Sequence, residues 1–304
     1  MTVMKRFFVV VPVLLVVSGC AHQRVVEHAP VSSPAPTTPS VPANDNLNAV
    51  AWTQASIEHD LVYYQAYRDA RERLDQALAD PDWDALSRDD RKAKSVRGLK
   101  PAVIVDVDET VLDNSPYQAR LVIDGGSFNE ATWAAWCREK VARPLPGAIE
   151  FTRAADSKGV TVFYLSNRAV DLNDVTLANL ASAGFPIKAG ESVFLGLGTA
   201  VDGCEQQGSE KGCRRQLIAR NYRVLMQVGD QIGDFVDVTD NTISGRKAAV
   251  APYADWVGER WFVLPNPTYG SWEPALFNNS WGQPADVRRR AKREALRLDL
   301  KITN

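Results

Sequence analysis

Residues 102–110 read Ala-Val-Ile-Val-Asp-Val-Asp-Glu-Thr. Four consecutive apolar residues suit a strand covered on both faces, and strands of that kind belong to parallel sheets. The run stops at Asp106, so the strand ends in acid. Similar apolar runs recur at 160–165, 224–228 and 261–264. Helical segments separate them at 146–158, 171–183 and 209–222; the first has Pro146 at its start and Gly159 just past its end. Strands alternating with helices predict an α/β fold with a parallel sheet flanked by helices. Ligands in such sheets bind beyond the carboxyl ends of the strands. The residues after successive strands are therefore expected at one site: Asp106 and Asp108, then Ser166-Asn167-Arg168, then Asp230 and Asp234, with Lys211 on the helix between.

That set constrains the chemistry. Crowded carboxylates repel and raise one another's pKa unless a cation joins them. A hard divalent ion with oxygen ligands resolves the conflict, and magnesium suits a few carboxylates plus phosphate. One aspartate can then attack phosphorus, and a second acid two residues along can protonate the leaving oxygen and later activate water. Histidine is excluded from the reacting centre. His22, His28 and His59 are the only three in the chain, and none follows His59. Serine triads, phosphohistidine chemistry and histidine-rich binuclear metal centres fall with it.

Toward the N-terminus, residues 46–79 show helical spacing, with Val50, Ile57, Leu61, Tyr64, Leu74 and Leu78 on the expected core side. Asp80-Pro81-Asp82 stops that helix. Before it, residues 21–45 are rich in proline, serine and threonine and read as a disordered tether. Residues 1–20 have the layout of an export signal: Lys5 and Arg6, an apolar run to Val17, then Ser18-Gly19-Cys20. The close resembles a bacterial lipobox, which makes Cys20 the lipidation site and the outer membrane the expected location, with the body in the periplasm or at the cell surface. Export implies an oxidising compartment. Of the remaining cysteines, Cys204 and Cys213 close a short loop and are the expected disulfide, leaving Cys137 free and buried. A net charge of -2 gives no footprint for a nucleic-acid polymer, and the basic run 288–293 reads as a solvated helix face. P-loop spacing at 203–208 lacks the Gly-Lys-Ser/Thr sequel, since Ser209-Glu210 follows.

The ordered motifs Asp-x-Asp-x-Thr, Ser-Asn, Lys and Gly-Asp-x-x-x-Asp resemble those of the haloacid dehalogenase superfamily of aspartyl-phosphate phosphatases. Asp106-Val-Asp-Glu-Thr-Val-Leu-Asp-Asn-Ser-Pro-Tyr117 and Leu264-Pro-Asn-Pro-Thr-Tyr-Gly-Ser-Trp-Glu273 look more narrowly like class C acid phosphatases, a group that includes outer-membrane lipoprotein 5′-nucleotidases. The likeness runs from about residue 46 to 279. It implies a Rossmann-like sheet with a small helical cap formed by the insert at about 113–146, within a phosphatase domain at 46–304. It implies Asp106 as nucleophile and metal ligand, Asp108 as acid/base and ligand through its backbone carbonyl, Asp230 and Asp234 as further magnesium-site residues, and Ser166, Asn167 and Lys211 on the phosphate. Trp133 and Tyr269 would sandwich a nucleobase, or else the two tryptophans, Trp133 and Trp136, pack the cap onto the body; Trp136 is assigned to the core. Nucleoside monophosphates and other small phosphate esters are the expected substrates. One departure stands out: the family often reads Gly-Asp-x-x-Asp-Asp, and Gly233 takes the place of the first acid of the closing pair, so weaker support of the metal ligands is expected. A non-catalytic surface lipoprotein on the same scaffold, phosphotransfer to an alcohol, and a homodimer are left open by the sequence.

Overall fold

The computed structural model describes residues 43–92 and 95–298. The expected signal segment, Cys20 and nearly all of the tether lie outside these residues. The chain divides into two units after Ala43, and the elements below belong to the second, Asn44–Asn304.

Two helices, α1 (Leu47–Ala55) and α2 (Ile57–Ala79), stand where one was expected. Ser56 breaks them: its backbone is extended and its hydroxyl accepts from the amide of His59 at 3.1 Å, which caps α2. The expected core face of α2 is corrected by the structure. Ile57, Leu61 and Tyr64 are exposed, whereas His59, Tyr63, Tyr67, Ala70, Leu74 and Ala77 are buried. The buried face is small or phenolic because alanines let the helix approach the sheet closely and both tyrosine hydroxyls find carbonyl partners beneath it.

After α3 (Arg88–Arg91) comes β1 (Lys100–Val105). Short strands β2 (Leu112–Asp113) and β3 (Arg143–Pro144) pair antiparallel and close off the insert, which contains α4 (Ser115–Asp124) and α5 (Glu130–Glu139). The remaining elements alternate: α6 (Ala148–Ser157), β4 (Thr161–Ala169), α7 (Asn173–Ala183), β5 (Phe194–Leu197), α8 (Gly212–Ala219), β6 (Tyr222–Gly229), α9 (Ile243–Val250), β7 (Trp261–Val263) and α10 (Ala285–Glu294). The helix expected over 209–222 is shorter at both ends, since Tyr222 opens β6. Strand β5 carries Gly196 and follows no long apolar run, and sequence reading passed over it.

The main sheet has the order β5-β4-β1-β6-β7, and all its pairs are parallel. Residues 102–105 and all of β6 are buried, as strands covered on both sides must be. The chain leaves β1 for β4 on one side and later returns to β6 on the other, so β1 lies at the switch point where a ligand crevice forms. Val105 pairs with Tyr164 and with Val228. One step further along this register, Asp106 lies level with Leu165 and Gly229, which brings it near Ser166 within β4 and Asp230 just past β6.

Candidate active site

The ladder continues one step past β1, where the Asp106 amide donates to the Val228 carbonyl at 2.9 Å. The chain then folds back, with the amides of Val111 and Leu112 both donating to the Val107 carbonyl. This tight loop puts Glu109 in the left-handed region at φ 55°, which costs a non-glycine residue about 1 kcal/mol. Helix α2 holds the loop there. The Tyr63 hydroxyl donates to the Glu109 carbonyl at 2.5 Å, and the Tyr67 hydroxyl donates to the Thr110 carbonyl at 2.6 Å. The buried Glu109 carboxylate accepts from the Asn114 amide at 2.8 Å and from the Tyr269 hydroxyl.

Asp106, Asp230 and Asp234 each present a carboxylate oxygen within 4.8 Å of the others. Lys211 is the single cation among them. Its ammonium pairs with Asp106, pairs with Asp234 at 2.7 Å and donates to the Leu165 carbonyl at 2.8 Å. Burial opposes its charge, but the Asp106 and Asp234 carboxylates outweigh burial and hold its pKa above the ordinary lysine value. Burial is also the main reason the Asp106 pKa lies well above the usual carboxylate range; Lys211 opposes it, while Asp234, Asp230 and Asp108 push further up. Asp230 is pushed up to about 7 by burial and by Asp234. Three acids against one lysine leave an excess of negative charge in a dry pocket. An all-oxygen donor set of this kind fits a hard divalent cation, with Asp106, Asp230 and Asp234 as the holders. The Asp108 carboxylate is outside that trio.

Asp108 is instead held by donors. Ser166 Oγ donates to it at 3.1 Å, Arg168 Nε at 2.9 Å and Asn114 Nδ2 at 2.8 Å. Ser166 is fully buried, while Asn167 is exposed and its side-chain oxygen accepts from Arg214 at 2.7 Å. Helix α8 thus ties β4 to the loop after β6. Its Arg214 also donates to the Ser166 carbonyl, and its Arg215 donates to the carbonyls of Gly233 and Asp234 while pairing with the buried Asp90. Asp234 folds back so that its carboxylate accepts from the Gln231 amide at 2.8 Å. A Cβ on Gly229 would collide with that carboxylate, which is why a glycine precedes Asp230. At Gly233 a Cβ would meet open space, so nothing steric keeps an acid out.

The Trp133 ring packs edge-on against Tyr117, with centroids 5.1 Å apart, and the Arg168 guanidinium lies 5.4 Å from its centroid. Trp133 is half-buried against the core, and Tyr269, the other residue of the expected sandwich, is tied to Glu109. The buried Trp136 donates to Asn114 Oδ1 at 2.7 Å. Cys204 and Cys213 are joined by a disulfide, two residues beyond Lys211, and Cys137 is buried and free. Sequence reading gave no role to Arg168, Asn114, Glu109, Gln231 or Asn266. All five sit inside the quoted motifs, but their partners are mostly far along the chain: 60 residues separate Arg168 from Asp108, and 36 separate Asn266 from Asp230.

Known proteins place this geometry. The family model described as HAD superfamily, subfamily IIIB (acid phosphatase) matches residues 8–272. The crystal structure of the class C acid phosphatase from Bacillus anthracis with tungstate bound superposes with a TM-score of 0.71 at 31% identity, covering 83% of this chain and 97% of that one. A stem 31 kDa glycoprotein of Glycine max is 29% identical over 55% of this chain, and acid phosphatase 1 of Solanum lycopersicum is 27% identical over 55%. The aligned stretch spans 58% and 57% of these two curated relatives. Matched along most of its length, the chain belongs to the haloacid dehalogenase superfamily, subfamily IIIB, the acid phosphatase family.

Proposed function

We propose that this protein is a magnesium-dependent acid phosphatase with 5′-nucleotidase activity, acting on nucleoside monophosphates and other small phosphate esters through an aspartyl-phosphate intermediate. The observation that carries this reading is the trio Asp106, Asp230 and Asp234 around Lys211, with Asp108 two residues beyond Asp106. Tungstate, a phosphate analogue in shape and charge, is bound in the related Bacillus anthracis enzyme. Bound magnesium would supply positive charge against the phosphate and the attacking carboxylate. Lys211 fixes one oxygen of Asp106 and leaves the other to bond phosphorus as the ester P–O bond breaks. The departing oxygen takes the proton of Asp108. Asp108 then removes a proton from water, which attacks the phosphoryl group and frees Asp106 and phosphate. Ser166, Arg168 and Asn114 keep Asp108 in place through both halves. Trp133 and Tyr269 are proposed to stack the nucleobase.

Removing divalent ions with a chelator should abolish hydrolysis of a nucleoside monophosphate, and magnesium should restore it. Turnover that survives chelation would refute the metal mechanism. A non-catalytic binding module gains no support from a site whose acids and lysine are all in place. Export and lipidation at Cys20, with the body tethered to the outer membrane, complete the proposal. Metabolic labelling with a fatty acid should mark the wild-type chain and leave Cys20→Ala unmarked.

A further inference from the structure

Asp230 receives both of its amide hydrogen bonds on one oxygen. Asn266 Nδ2 donates to Oδ2 at 2.8 Å, and Gln231 Nε2 donates to the same atom at 2.9 Å. A carboxylate oxygen has two lone-pair sites, so Oδ2 is filled and Oδ1 is the atom left for a cation. The other members of the trio are committed in a similar way. Lys211 takes Oδ1 of Asp106 and Oδ1 of Asp234, and the Gln231 amide takes Oδ2 of Asp234.

The amide of Asn266 has its orientation fixed. Its Oδ1 accepts from the Thr268 amide at 2.9 Å, the Thr268 hydroxyl at 2.7 Å and the Tyr269 amide at 3.3 Å, so its nitrogen must face Asp230. Gln231 touches two of the three acids, one through its side chain and the other through its backbone. Both donors are neutral. They occupy lone pairs without competing with a cation for charge, as a second lysine would.

Calcium gathers roughly 6–8 oxygens and readily takes both oxygens of one carboxylate, whereas magnesium makes fewer contacts and keeps waters. We infer that Asn266 and Gln231 are metal-specificity determinants: by filling Oδ2 of Asp230 they deny a large cation the second oxygen and bias the site toward magnesium over calcium. This rests on the reading of the acidic trio as a divalent-cation site.

Isothermal titration calorimetry on the full chain, stripped of ions and titrated separately with magnesium and calcium chloride, tests it without recourse to activity. Gln231 is half-buried at the surface, so Gln231→Leu removes one donor with little risk to folding; Asn266→Ala and the double variant remove more. The magnesium-to-calcium affinity ratio is expected to fall about tenfold in a single variant, through tighter calcium binding, and further in the double variant. An unchanged ratio, including the case in which both ions weaken together, would show that the amides only hold the fold and would overturn the inference while the metal reading stands. Failure of the wild-type chain to bind either ion would overturn both.

Discussion

In the proposed mechanism Asp106 acts as a nucleophile from a position where its own charge is disfavoured. It is 7% exposed, and burial lifts its pKa well above the carboxylate range. Lys211 provides part of the offset and the proposed cation would provide the remainder, so each residue's contribution can be tested alone. Asp108→Asn should lower kcat about 10²–10⁴-fold while the protein still folds, because general acid–base help is lost and the Arg168, Ser166 and Asn114 contacts are largely retained. Steady-state rates on an aryl phosphate measure it; a loss smaller than tenfold would remove Asp108 from the proton path. Trp133→Ala should raise KM for nucleoside monophosphates about tenfold and leave small aryl phosphates nearly unaffected, as loss of one stacking face implies. Equal effects on both substrates would make Trp133 a packing residue. At this scale the strand-tip acids were legible because an apolar run that ends in Asp-x-Asp has few other uses. The amides and arginines around them were not. Asn114, Arg168 and Asn266 act through hydrogen bonds to partners six to sixty residues away, and linear spacing does not encode those.

Elements far from the chemistry hold its geometry. Helix α2 reaches beneath the catalytic loop, where the Tyr63 hydroxyl donates to the carbonyl of Glu109 at 2.5 Å and contacts that of Pro265 at 3.3 Å. One side chain therefore links the loop after β1 to the loop that carries Asn266 and Tyr269. Tyr63→Phe should destabilise the fold by about 1–3 kcal/mol in urea titration, the cost of leaving buried carbonyls unpaired, and should lower kcat more than it raises KM. A variant as stable and active as the parent would deny α2 that role. This helix was also the element least readable in sequence. Ile57 and Leu61 of its first turns point to solvent, and apart from Leu74 its buried side is built from tyrosine, histidine and alanine, which an apolar-periodicity reading ranks low. Strands β1, β4 and β6 were readable for the opposite reason: burial on both faces forces continuous apolar runs. Strand β5 escaped notice because it is four residues long and one of the four is a glycine.

Across the whole molecule, sheet order does the assembling: three adjacent parallel strands at the switch point bring acids from residues 106 to 234 into one pocket. That pocket ties stability to pH. Asp106 and Glu109 are raised well above the carboxylate range and Asp230 to about 7, so between the ordinary carboxylate value and about 7 the metal-free native state binds more protons than the unfolded chain. Stability of the metal-free protein should accordingly fall as pH rises through that window. Because a cation binds the ionised acids, the gain in Tm from magnesium should be larger at about pH 8 than at about pH 5. A gain that is flat or reversed across those conditions would dissociate the carboxylates from the metal. The central claim is that Asp106 takes up the phosphoryl group, and acid quenching during turnover with magnesium, followed by peptide mass spectrometry, tests it most directly. The account predicts one phosphoryl group on the peptide bearing Asp106, absent from Asp106→Asn and from chelated enzyme. Turnover with no phosphorylated aspartate, or with the phosphoryl group on another residue, would contradict it.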